Sequence, residues 1–121
     1  MTKTVLTVDD SRTMRDMLLL ALEGAGYTVI QAADGVDGLE TLAAKGADVV
    51  ITDINMPRMD GFGFIEGLRA DPNHRTTPVL VLTTESDADK KARARAAGAT
   101  GWIVKPFDPV KLVDAVRRVA A

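Results

Sequence analysis

The feature that most constrains this chain is an alternation. Short β-branched or apolar runs break off abruptly, and each is followed by a stretch whose apolar residues recur three and four positions apart. Val5-Leu6-Thr7-Val8 stops at Asp9-Asp10 and reads as a strand buried on both faces. From Arg12 onward, Met14, Met17, Leu18, Ala21 and Leu22 mark one face of a helix, with Asp10 or Ser11 as its cap and Gly24 and Gly26 as its stop. The pattern then repeats. A strand spans Tyr27 to Gln31, Val36, Leu39 and Leu42 mark a helix ending at Gly46, and a third strand spans Asp48 to Thr52. After a turn over Met56 to Gly61, Phe64, Ile65 and Leu68 line a helix that stops before Pro72, because proline disfavours helical geometry in its predecessor. Val79 to Leu82 is the fourth strand, and Ser86 to Ala97 the fourth helix, with Ser86 as cap and Gly98 as stop. Gly101 to Val104 is the fifth strand. Asp108-Pro109 opens a last helix with Leu112, Val113 and Val116 inward.

Five such units imply an α/β fold: a doubly wound, five-stranded parallel sheet with right-handed crossovers and the expected order 2-1-3-4-5. The chain has 121 residues with hydrophobic content of 46%, enough for one core and too few for two. A single domain over 1–121 is expected, with no output domain. The formal net charge of −2 provides no field for nucleic acid. No apolar run approaches membrane-spanning length, and the absence of cysteine excludes thiol chemistry and is compatible with a reducing compartment, so the expected location is the cytoplasm.

Doubly wound sheets place their sites beyond the carboxyl ends of the strands, where strand order reverses. The residues falling there are Asp9 and Asp10 after the first strand, Asp53 after the third, Thr83 at the end of the fourth and Lys105 after the fifth. Singly they are ordinary: acids after a strand often cap the next helix, and a lone lysine is a surface residue. Together they put three carboxylates in one pocket, a repulsive arrangement unless a cation or Lys105 offsets it. Oxygen ligands without His or Cys suit Mg²⁺.

Val8-Asp9-Asp10-Ser11, the run Asp53-Ile54-Asn55-Met56-Pro57-Arg58-Met59-Asp60-Gly61, Leu82-Thr83-Thr84 and Lys105-Pro106-Phe107 resemble, in order and spacing, the motifs of the receiver domains of bacterial response regulators, of the CheY-like single-domain kind. The resemblance covers essentially the full chain and implies a flavodoxin/CheY-like fold. It implies that Asp53 takes a phosphoryl group from a histidine kinase, giving an acyl phosphate. Asp10, Asp53 and the backbone carbonyl of Asn55 would then ligate Mg²⁺, with Asp9 acting through a water. It further implies a cis peptide bond before Pro106, Thr83 as the sensor of the phosphoryl group, and Asn55 and Glu85 as residues that tune its lifetime.

Trp102 stands where the family usually carries a smaller aromatic ring that swings inward with the threonine. Two readings are open: a rotamer switch, or a partly buried anchor between strand and helix. The fourth helix is expected to pack loosely through Ala88, Ala92 and Ala96, with Lys90, Lys91, Arg93 and Arg95 outside, and to form a partner face with the fifth strand and fifth helix. His74 reads as a solvated loop residue. The output partner implied is the flagellar motor switch in chemotaxis. A phosphotransfer or phosphatase protein, in a relay where the chain is a phosphate shuttle or sink, is the second choice.

The protein is expected to be a monomer and no enzyme beyond its own phosphorylation and dephosphorylation. A Mg²⁺-dependent aspartyl-phosphate phosphatase of the haloacid-dehalogenase type fits poorly, since Asn55 stands where that chemistry wants a second acid. A nucleotide-binding module fits poorly too, since no strand is followed by a glycine-rich phosphate loop.

Overall fold

Side chains alternate faces along a strand, so apolar runs of four or five residues must feed two cores rather than one. In the computed structural model, which describes residues 2–120, the strands are β1 (Thr4–Val8), β2 (Thr28–Ala32), β3 (Val49–Thr52), β4 (Val79–Thr83) and β5 (Gly101–Val104). The helices are α1 (Arg12–Gly24), α2 (Gly35–Lys45), α3 (Gly61–Ala70), α4 (Ala88–Ala97) and α5 (Pro109–Ala120). All strand pairs are parallel, in the order β2-β1-β3-β4-β5. Val5, Val49, Ile51, Leu80 and Leu82 meet Leu18 and Leu22 of α1 and Leu112 and Val116 of α5 on one side. Leu6, Val8, Val50, Val79 and Val81 meet α2, α3 and α4 on the other, where Phe64, Ile65 and Leu68 are fully buried.

Register carries this packing to the site. Val8 pairs with Ala32 on one side and with Thr52 on the other, and Thr83 pairs with Val104. Asp9, Asp53, Thr83 and Lys105 are thereby brought to one edge. The expected doubly wound order is what the chain adopts, with element ends differing by a residue or two. β2 runs one residue later than its apolar pattern suggests, because Thr28 pairs with Thr4 and its N–H bonds Lys3. Ser11 rather than Asp10 caps α1, its hydroxyl accepting from the Met14 amide at 3.2 Å.

Three expectations need correction. Asp87, not Ser86, caps α4, its carboxylate accepting from the Asp89 amide at 2.7 Å. Ala88, Ala92 and Ala96 are exposed, and the inward residues are Ala94 and, in part, Ala97. With no large apolar side chain to choose a face, α4 is oriented by Arg93, whose guanidinium lies 4.1 Å above the buried Phe62 ring. His74 is buried rather than solvated. It ends a 3-10 turn over Pro72–His74, and its Nδ1 lies 2.9 Å from the Thr77 hydroxyl.

Candidate functional site

The pocket forms where β1, β3 and β5 end. Asp9 is buried: its amide donates to the Ala32 carbonyl at 3.1 Å, and its Oδ1 accepts from the Ser11 amide at 2.9 Å. Asp53 follows β3, with its amide donating to Val8 across the strand pair and its Oδ1 accepting from the Ile54 amide at 2.6 Å. Gly61 lets the chain close over this point, for a Cβ there would lie 2.2 Å from the Asp53 carbonyl oxygen. Asp10 is exposed at the mouth. One carboxylate oxygen from each of Asp9, Asp10 and Asp53 lies within 4.8 Å of the others.

Lys105 reaches this group from β5 across a cis bond to Pro106. Its Nζ donates at 2.8 Å to Asp9 Oδ2 and at 2.8 Å to Asp53 Oδ2. Burial raises the Asp9 carboxyl above its usual range, against the opposing hydrogen bond from Lys105. Burial also works against the Lys105 charge, but the hydrogen bonds to Asp53 and Asp9 prevail and hold it above the usual lysine value. One ammonium against three carboxylates leaves the pocket short of positive charge by the amount a divalent cation carries. The donor set is all oxygen, which fits Mg²⁺ in preference to a transition metal.

A second group sits beside the pocket. Thr83 is fully buried at the end of β4, and its hydroxyl accepts a long 3.4 Å bond from the Glu85 amide. Glu85 also receives the Asn55 side-chain amide at 3.1 Å and pairs with Lys90 of α4 at 3.0 Å. Those contacts, Lys90 first, hold its carboxyl below the usual range. The Trp102 indole N–H donates to the Glu85 carbonyl at 3.0 Å while its ring packs against the α3–α4 core. In this conformation the Trp102 ring is partly buried and tied to the loop after β4.

The residues singled out in the sequence thus come together: Asp9, Asp10, Asp53 and Lys105 in the pocket, and Thr83, Glu85, Asn55 and Trp102 along its wall. Sequence reasoning missed the bidentate pair of Arg58 and Asp34, at 2.8 and 3.1 Å, which ties the loop after β3 to the start of α2. Asp34 before Gly35 carries the signal of a helix cap, but nothing in the sequence pairs it with a residue 24 positions away.

The sequence pattern of the response regulator receiver domain matches residues 5–117. The chain belongs to that family. This receiver domain is 37% identical over 116 residues to the probable chemotaxis protein CheY of Rhizobium etli, covering 95% of this chain and 90% of that protein. It is also 36% identical to the probable transcriptional regulator ycf27 of Guillardia theta, matching over 95% of its own length but only 44% of that protein. The solved structure of chemotaxis protein CheY4 of Vibrio cholerae is similar with a TM-score of 0.95 at 44% identity, covering 98% of this chain and 99% of that one. The receiver domain is therefore CheY-like, of the two-component response regulator type, and the family implies phosphorylation on an aspartate. Among its described residues no helix is long and apolar enough to cross a membrane.

Proposed function

We propose that this receiver domain accepts a phosphoryl group on Asp53 from a histidine kinase and, once phosphorylated, binds the flagellar motor switch. The observation that carries the first half is Lys105 Nζ at 2.8 Å from both Asp9 and Asp53, closing a three-carboxylate pocket. A carboxylate oxygen of Asp53 attacks the phosphorus of phosphohistidine. The new O–P bond gives an acyl phosphate, and the P–N bond breaks with its electron pair returning to the imidazole. Phosphoryl transfer is mostly positioning and charge neutralisation. Lys105 offsets charge on the Asp53 side of the pocket, and the Thr83 hydroxyl is the donor for a phosphoryl oxygen. Asp10, Asp53 and the Asn55 carbonyl would hold Mg²⁺, with Asp9 acting through a water, and the ion would neutralise charge on the transferring oxygens. Asn55 and Glu85, bonded to each other, stand where they govern the approach of water to the acyl phosphate. The domain turns over nothing but its own phosphate, and it acts in the cytoplasm as a monomer.

The second half is supported by the chemotaxis names of the similar proteins. It is also supported by the face of α4, β5 and α5, where Val104 is exposed beside Trp102, Phe107 and the cations of α4. That face suits a peptide with acidic and apolar residues. Thr83 and Trp102 both converge on Glu85, so a phosphoryl group drawing the Thr83 hydroxyl alters the support of α4.

The test titrates the domain, with and without beryllofluoride as phosphoryl mimic, against a motor-switch peptide and against a histidine phosphotransfer domain. Motor-switch affinity is expected to rise about tenfold, with loss of most of that gain in Thr83→Ala. A gain for the phosphotransfer domain alone would instead assign the shuttle or sink role.

A further inference from the structure

The loop from Ile54 to Asp60 is fastened at two points. At its base, the Gly61 amide donates to the Ile54 carbonyl at 2.8 Å. At its tip, Arg58 adopts φ 63°, a left-handed conformation uncommon outside glycine, and forks onto the carboxylate of Asp34. That carboxylate is itself buried and caps α2, accepting from the Asp37 amide at 2.9 Å, and the Arg58 guanidinium beside it holds it below the usual carboxylate range. The Gly35 amide donates to the Met59 carbonyl at 3.2 Å, so closely that a Cβ on Gly35 would lie 2.7 Å from Met59. Between base and tip lies Asn55, whose side chain is held separately by Glu85.

We infer that Asp34 and Arg58 are positioning residues: their ion pair pins the tip of this loop against α2 and so presets the Asn55 carbonyl for the cation that Asp10 and Asp53 hold. The inference rests on the reading of the pocket given above. A fixed carbonyl costs no ordering when the ion arrives, whereas a loose one must be ordered at that moment, which lowers affinity without altering the transfer step itself. The pair touches neither the ion nor the phosphoryl group. Its effect is confined to how often the loop is in the competent conformation.

Two variants separate the ion pair from the backbone. Arg58→Gly keeps the left-handed conformation without steric cost. Asp34→Asn keeps a good helix cap without the charge. Mg²⁺ affinity measured by calorimetry on each is expected to be weaker by about three- to fivefold, and the double variant no weaker than either single one. Acetyl phosphate labelling at saturating Mg²⁺ should be unchanged in rate, while half-maximal Mg²⁺ moves by the same factor. Hydrogen exchange of the Gly35 amide in the metal-free protein, which needs no cation, should quicken in both variants. Arg58→Lys, a point charge without the fork, should recover part of the affinity. Parent-like Mg²⁺ affinity in both variants would overturn the positioning role. A parent that binds no Mg²⁺ would instead remove the reading of the pocket, leaving the loop fastening to be judged by exchange alone. In that case unchanged exchange would overturn it as well.

Discussion

Helices α1 and α4 lie on opposite sides of the sheet and are held in opposite ways. α1 drives Leu18 and Leu22 into the core, with Met14 packed alongside. α4 buries only Ala94, and its fixings are largely polar or cationic: Arg93 over Phe62, Lys90 on Glu85, and Arg69 of α3 donating twice to the Gly98 carbonyl, at 3.1 and 2.8 Å. Among the described residues the Arg69 cation has only carbonyl acceptors, and burial lowers its value below the ordinary arginine range. Apolar burial is non-directional and tolerates no gap, so a helix held by it moves at a high cost. Charged contacts near the surface contribute little each and can be remade elsewhere. α1 is therefore the costlier of the two to displace.

Leu18→Ala is expected to destabilise the domain by about 3 kcal/mol in urea unfolding, through lost burial and the cavity left behind. Arg93→Ala should cost only about 0.5 to 1 kcal/mol, the range of a partly exposed cation over an aromatic face. Equal losses at the two positions would break the contrast between the two helices. Between these two lies the metal. With free Mg²⁺ at a hundred times its dissociation constant, the parent should gain about 2.7 kcal/mol of stability, and Asp10→Asn should lose most of that gain. The same substitution should leave the metal-free protein as stable as the parent or more so, because one of three clustered carboxylates is gone. Matching magnesium responses in thermal melts would reduce Asp10 to a surface acid at the entrance to α1.

The smallest effect expected is on acid stability, at the foot of α2. Arg58 lowers the folded value of Asp34 below its ordinary 3.8, with Asp37 and Glu40 as the other charges bearing on this pair. A lowered carboxyl contributes stability that is present above the unfolded value and is lost as pH falls through the folded one. Asp34→Asn should therefore flatten the fall in stability below about pH 4, measured as the urea midpoint against pH. A slope unchanged from the parent would show that the pair contributes no stability through charge.

The strands were legible in the sequence and the seating of α4 was not. Strands such as Val79 to Leu82 announce themselves because burial on both faces leaves no polar position, and Asp9, Asp53, Thr83 and Lys105 follow from where those strands end. The face of α4 was misjudged because alanine carries too weak a preference to set a helix's rotation, and the deciding contact, Arg93 on Phe62, joins two helices across the fold. His74 was misjudged for a like reason. Its burial depends on a short 3-10 turn and on Arg69, whose guanidinium binds the His74 carbonyl at 2.8 Å. The Arg58–Asp34 pair escaped notice because side-chain pairing between two loops has no period to read.

If this edge of the sheet serves to phosphorylate Asp53, covalent phosphate depends on that one side chain. Parent and Asp53→Asn are incubated with acetyl phosphate and Mg²⁺, and covalent phosphate is followed by intact mass before and after hydroxylamine. A single phosphoryl addition is expected on the parent, removed by hydroxylamine as an acyl phosphate must be, and none on the variant. Equal, hydroxylamine-labile labelling of Asp53→Asn would contradict it.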